Sequence, residues 1–181
     1  MGPTLVPRGQ EITFDFTPIA GKSKALEWGA HQQGFTAREG NVMMTTVASF
    51  PLGAVLVENV KTNEVYVESV VAGKGAEVAG MRAGDILTAV TAVAVPKAAN
   101  LVKEPVGAVY VLNPSNPRLF PEVMDALTSN AEGNGGYGKA ILVFERSAQS
   151  ALDEEKSEQL LESAAPDEAV GVTVEGADFA Q

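Results

Sequence analysis

The sequence contains no cysteine, one histidine (His31) and one tryptophan (Trp28) among its 181 residues. Without cysteine there is no disulfide, no thiolate zinc site and no thiol nucleophile. One imidazole excludes a multi-histidine metal centre, and any histidine-dependent triad has to use His31. No apolar run approaches the roughly 20 residues that a membrane-spanning helix needs. The first residues show neither a charged-then-apolar leader nor the Arg/Ser-rich, acid-poor character of an organelle transit peptide. Basic residues are scarce: 13 Lys and Arg stand against 23 Asp and Glu, a net charge of −10. Nucleic-acid recognition starts from a basic patch or stripe, and none is legible.

The acids that are present are unevenly placed. Residues 147–181 hold nine of them against Lys156 alone, a net −8, which leaves −2 on the first 146 residues. An acid-rich stretch with few aromatics reads as a solvated tail, partly helical around "ALDEEKSEQLLES" and otherwise disordered. Residues 1–41 are punctuated by glycine and proline. One alternating patch there, "EITFDF", sets Ile12, Phe14 and Phe16 on one face of a strand or extended arm. With Trp28 and Phe35 the arm has apolar side chains but no core of its own, so it packs on the following domain or on a partner protein.

From residue 42 the texture changes to short β-branched runs. "VMMTTVA" (42–48), "AVLVENV" (54–60), "EVYVESVV" (64–71), "DILTAVTAV" (85–93), "GAVYVL" (107–112) and "KAILVFER" (139–146) predict strands. Ala76–Ala79 predicts a one-turn helix that ends on Gly80, where a left-handed terminator fits. In "LFPEVMDALTSN", Phe120, Val123, Met124 and Leu127 recur at three- and four-residue spacing, which predicts an amphipathic helix. Pro121 suits its first turn. The fold class is α+β: a partly open β-barrel or sandwich of about six strands with one short and one longer helix.

Catalytic patterns are missing. "GKGAEVAG" lacks the Gly-Lys-Ser/Thr ending of a phosphate loop, and "GYGK" is a glycine turn, not a nucleophile elbow. Paired carboxylates such as Glu154 and Glu155 sit in a solvated tail where burial cannot tune them for acid–base work. No enzyme activity, cofactor or metal is expected.

The glycines are more informative. "VYVESVVAGKGAEVAGMRAGDILTAV" runs a strand into a glycine loop, a one-turn helix and an "AGDIL" turn that starts the next strand. Gly80 supplies a positive φ, and Asp85 can accept backbone hydrogen bonds in the turn after Gly84. This layout resembles the PDZ domain family over residues 42–147, with 1–41 as an N-terminal arm and 148–181 as the acidic tail. "SFPLGAVLVEN", "VYVESVVAGKGAEVAG" and "VMDAL" are most similar to the PDZ proteins of plants and algae, many of them plastid-located. The resemblance implies a non-catalytic interaction module that binds a short hydrophobic C-terminal peptide by strand addition. It implies that Pro51, Leu52, Gly53 and Ala54 form a nest of backbone amides for the terminal carboxylate. Val55 and Leu56 then flank the added strand, opposite Phe120, Val123, Met124 and Leu127 of the helix. Gly53 is expected to keep a Cβ out of the anion's way. Phe120 stands where many members carry a histidine, which implies preference for an apolar residue two places before the peptide's end.

A second departure bears on function. The long 92–118 segment is able to fold over the groove, which favours an alternative: a structural linker or scaffold subunit of a larger, photosynthetic assembly that grips through its arm and tail. A third reading, a regulatory fragment of a PDZ-containing protease, requires a catalytic domain for which this chain has no room. The expected partner is therefore a protein, as a C-terminal peptide or an assembly subunit, with peripheral association to a membrane complex as an option. The resemblance implies a plastid or chloroplast location, the cytoplasm being the other choice.

Overall fold

The computed structural model describes residues 2–14, 31–94 and 106–152. Three short strands come first: β1 (Thr4–Val6), β2 (Glu11–Phe14) and β3 (His31–Gly34). They precede β4 (Asn41–Ser49), β5 (Ala54–Asn59), β6 (Glu64–Val70) and the one-turn helix α1 (Gly75–Val78). Strands β7 (Ile86–Ala94) and β8 (Val106–Val111) follow, then helix α2 (Leu119–Ser129), a 3-10 turn and β9 (Lys139–Ser147). The result is α+β, a mostly antiparallel open sheet of seven strands with few short helices. Its order is β1-β4-β9-β7-β6-β5, with β8 also on β7, and β2 and β3 make a separate two-stranded sheet. The six predicted strands are all present, and β1 adds the seventh.

Strand β9 shows why "AILVF" carries no alternation. It lies between β4 and β7 and is buried on both faces, so both sets of side chains are apolar. Leu142 and Phe144 enter the main core with Met44, Val65, Val67, Val90, Leu119, Val123 and Leu127. Val143 points the other way, into a second cluster with Ile12, Phe35, Met43 and Ala89. The predicted arm thus supplies two side chains, Ile12 and Phe35, to the outer face of the sheet. The arm packs on the domain that follows it, at least through these residues. Phe16 and Trp28 lie outside the described residues.

Helix α1 is held against the end of β4. An ideal Cβ on Gly75 would fall 1.8 Å from the Ser49 carbonyl oxygen, so only glycine permits this approach. Gly80 has φ +73°, as its terminator role requires. Asp85 accepts from the Arg82 amide at 2.8 Å, the turn bond anticipated from sequence. It also pairs, fully buried, with Arg146. The chain is helical at 148–152, and the rest of the acidic tail lies outside the described residues. So does 95–105, the middle of the segment expected to reach the groove.

Candidate functional site

Strand β5 is the last strand of its sheet and pairs with β6 alone among the described residues. Helix α2 packs chiefly on β7, so it does not seal the open border of β5. Hydrogen bonds bracket the space between them at both ends. At one end the Phe50 amide donates to the Gly138 carbonyl at 2.8 Å, and the Gly138 amide donates to the Asn130 carbonyl at 2.8 Å. That chain of bonds ties the loop before β5 to the C-terminus of α2. At the other end Asn63, in the β5–β6 turn with φ +54°, donates its side-chain amide to the Pro114 and Asn116 carbonyls, each at 2.7 Å. Those residues lead into α2. Strand and helix therefore run antiparallel as two walls of one groove.

The loop Phe50–Gly53 has a specific amide geometry. The Phe50–Pro51 peptide is cis and those that follow are trans. The Pro51 carbonyl accepts from the Gly75 amide (3.3 Å), the Leu52 carbonyl from Ala76 (2.7 Å) and the Gly53 carbonyl from Val71 (2.8 Å). In a trans peptide the C=O and the following N–H point in opposite directions. Three carbonyls fastened to α1 and to Val71, just past β6, thus aim the amides of Leu52, Gly53 and Ala54 away from both. The Leu52 and Gly53 amides meet no acceptor among the described residues. The Val71–Gly53 bond makes Ala54 and Val70 a non-hydrogen-bonded pair, so the Ala54 amide faces the open border. Alternation puts the backbone groups of Leu56 and Glu58 on that border too.

The reason for glycine at position 53 differs from the expectation. Gly53 has φ +65°, and an ideal Cβ there would sit 2.3 Å from Cβ and 2.6 Å from Cγ of Lys74. The side chain is excluded by Lys74 behind the loop and by the backbone conformation, not by space reserved for an anion. Substituting Gly53 consequently disturbs the loop itself, and is a poor probe of binding alone.

The other predicted site residues divide into four groups. Leu52, Ala54 and Leu56 are half-buried and pack with Phe120 on the main core, lining the groove from both sides. Met124 is 37% exposed and Val55 42%; Met124 continues the open face of α2 one turn after Phe120, while Val55 looks away from the core. Val123 has no accessible surface and Leu127 has 3%. Both belong to the core, so a peptide cannot grip Val123 and the pair backs the groove from beneath. Pro51 is exposed and contributes its fastened carbonyl.

Several supporting residues were not anticipated. Tyr110 donates to the Glu122 carboxylate at 2.7 Å, and Asn116 donates to the same carboxylate at 2.8 Å. The bond from Tyr110, then that from Asn116, holds the Glu122 carboxyl below its usual range, while burial and Glu122 push the Tyr110 hydroxyl up. This cluster fastens the first turn of α2 to β8. Asn130, buried at 2%, caps the other end: its amide donates to the Thr91 carbonyl at 2.6 Å and to the Ala126 carbonyl at 2.8 Å. Polar side chains carried no periodic signal, but the asparagines at 63, 116 and 130 all stand in turn-rich stretches. Among the described residues no group of three or more His, Asp or Glu is placed to hold a metal ion, and no helix is long and apolar enough to cross a membrane.

Comparisons with protein-family models, with curated proteins and with solved structures find no match to this chain.

Proposed function

We propose that this protein is a PDZ-like interaction module that captures a short extended peptide by its free C-terminus. One observation carries the reading: three successive amides, of Leu52, Gly53 and Ala54, point to one side at the head of a strand that has one open border among the described residues. An anion seated there accepts charge-assisted hydrogen bonds, and the residues before it continue along β5 as an added strand. The half-buried faces of Leu52 and Leu56, with Phe120 and Met124 opposite, favour apolar side chains at alternate peptide positions. The element order strand, strand, strand, short helix, strand, strand, helix, strand supports the same assignment.

The contact area is small, so affinity is micromolar or weaker, about −8 kcal/mol or less favourable. The test is titration of the full chain with synthetic peptides that end in an apolar residue, each as the free acid and as its amide. Binding of the acids at least tenfold tighter supports the reading. Equal binding of acids and amides overturns it. The scaffold alternative loses part of its motivation, because Ile12 and Phe35 are buried on the chain's own sheet and are not offered to a partner.

A further inference from the structure

We propose that Asn63 is a positioning residue that sets the width of the groove at its far end, and so makes the site select long extended tails over a bare C-terminus. This inference rests on β5 being a strand-addition site. The two ends of that strand are held differently. Its head is fastened through the carbonyls of Pro51, Leu52 and Gly53, which accept from Gly75, Ala76 and Val71. Its tail leads into a hairpin turn that overhangs the sheet. Strand β6 meets β7 at one register pair, Tyr66 with Ile86, and the adjoining bonds join Val67 to Gly84 and Asp85. Among the described residues no register pair joins 59–65 to β7.

Asn63 ties this overhang to the helix. Its side-chain amide has two protons to donate, and they go to the Pro114 and Asn116 carbonyls on the approach to α2. Asn116 in turn donates to Glu122 in the first turn of α2. One line of hydrogen bonds therefore runs from the end of β5 to the opposite wall. The next residue, Glu64, pairs with Arg38, which holds the turn to Glu145 of β9 and not to the helix. Backbone shape does not account for the residue type: glycine meets a φ of +54° more easily, so what asparagine adds is the amide. An added strand has to lie about 4.8 Å from β5 while its side chains reach Phe120 across the groove. Fixing α2 relative to the tail of β5 lets both happen at once, and a preformed gap lowers the ordering cost of binding. The carboxylate end has its own fastening, so the peptide residues opposite Leu56 and Glu58 are the ones that depend on Asn63.

The test compares the full chain with two full-length variants. Asn63→Gly keeps the turn and loses the amide, and Asn63→Asp sets a carboxylate against the two carbonyls. Each protein is titrated with free-acid peptides that share one apolar C-terminal sequence and differ in length, three residues or seven. In the parent the longer peptide is expected to bind about tenfold tighter or more. Asn63→Gly is expected to reduce that gain to about threefold or less, and Asn63→Asp to abolish it, while the three-residue peptide binds all three proteins alike. A urea midpoint of Asn63→Gly close to the parent's shows that the fold is kept. A length gain as large in Asn63→Gly as in the parent overturns the proposal and leaves the peptide site standing. So does an equal loss of affinity for both peptides, which makes Asn63 a residue of the fold as a whole. If the parent binds neither peptide, the strand-addition reading falls and this inference falls with it.

Discussion

Asp85 and Arg146 meet through two hydrogen bonds, Nε to Oδ1 and Nη2 to Oδ2, each 2.8 Å long. Their side chains are 2% and 3% exposed, and Arg146 also donates to the Gly80 carbonyl at 2.7 Å. The pair fastens the turn after α1 to the final strand. Removing one member leaves the other charge buried, which costs about 3–5 kcal/mol. Asp85→Ala is therefore expected to lower the urea midpoint sharply. Asp85→Ala combined with Arg146→Met is expected to recover much of that loss, since no unpaired charge remains. A double variant as unstable as the single one would show that the turn geometry, rather than the charge, is what matters.

Acid sensitivity should trace to Glu145. Burial pushes its carboxyl up, but bonds from Asn41 and Arg38 and the nearby guanidinium outweigh this and hold it below the usual range. Arg38 also bridges to Glu64. A carboxyl whose folded value is depressed stabilises the fold fully above its unfolded value, about 4.3. That contribution is lost as pH falls through the lower folded value. The expected result is a steeper loss of stability below about pH 4 in the parent than in Glu145→Gln, measured by denaturant titration at pH 7, 4 and 3. Parallel curves would remove Glu145 from the account.

Within α2, neighbouring apolar residues have opposite roles. Met124→Asp is expected to weaken binding of a free-acid peptide about tenfold, roughly 1.4 kcal/mol, with the thermal midpoint nearly unchanged. Val123→Asp is expected to unfold the protein, because it places a carboxylate in a site with no accessible surface. Loss of fold in the Met124 variant would mean that its side chain belongs to the core.

The N-terminal segment is predicted to be part of the fold, not an appendage. Ile12→Ala and Phe35→Ala each empty a place beside Val143 and Met43, and each is expected to cost about 2–5 kcal/mol of global stability. Limited proteolysis gives an independent readout, with cleavage near residues 10–14 accelerated in both variants. Unchanged denaturant midpoints would detach the segment from the sheet.

Much of this architecture is legible in the amino-acid pattern. Each strand from β4 to β9 has its own β-branched run, and "AEVAG" marks α1 by composition and its terminating glycine. Strand β3 escaped notice because "HQQG" has no apolar residue to set a period, and β1 because three residues between prolines are too few. The groove was legible as a loop and a helix, but its lining was not fully so. Phe120, Val123, Met124 and Leu127 fall on one helical stripe, and spacing alone cannot say which edge of it meets the core. Packing on β7 decides that, by burying Val123 and Leu127. The amide geometry of the loop was hidden for a related reason: it depends on which carbonyls α1 and Val71 engage, a tertiary fact.

Another border of the sheet, across from β5, is formed by β1, and it is blunt. Only Thr4, Leu5 and Val6 pair with β4, and Pro3 and Pro7 flank them without an N–H to offer. The β1 rim accordingly offers an incoming strand three residues, against the six of β5. Copies joined β5 to β1 would be held by only a few backbone bonds at each joint, a poor basis for a filament.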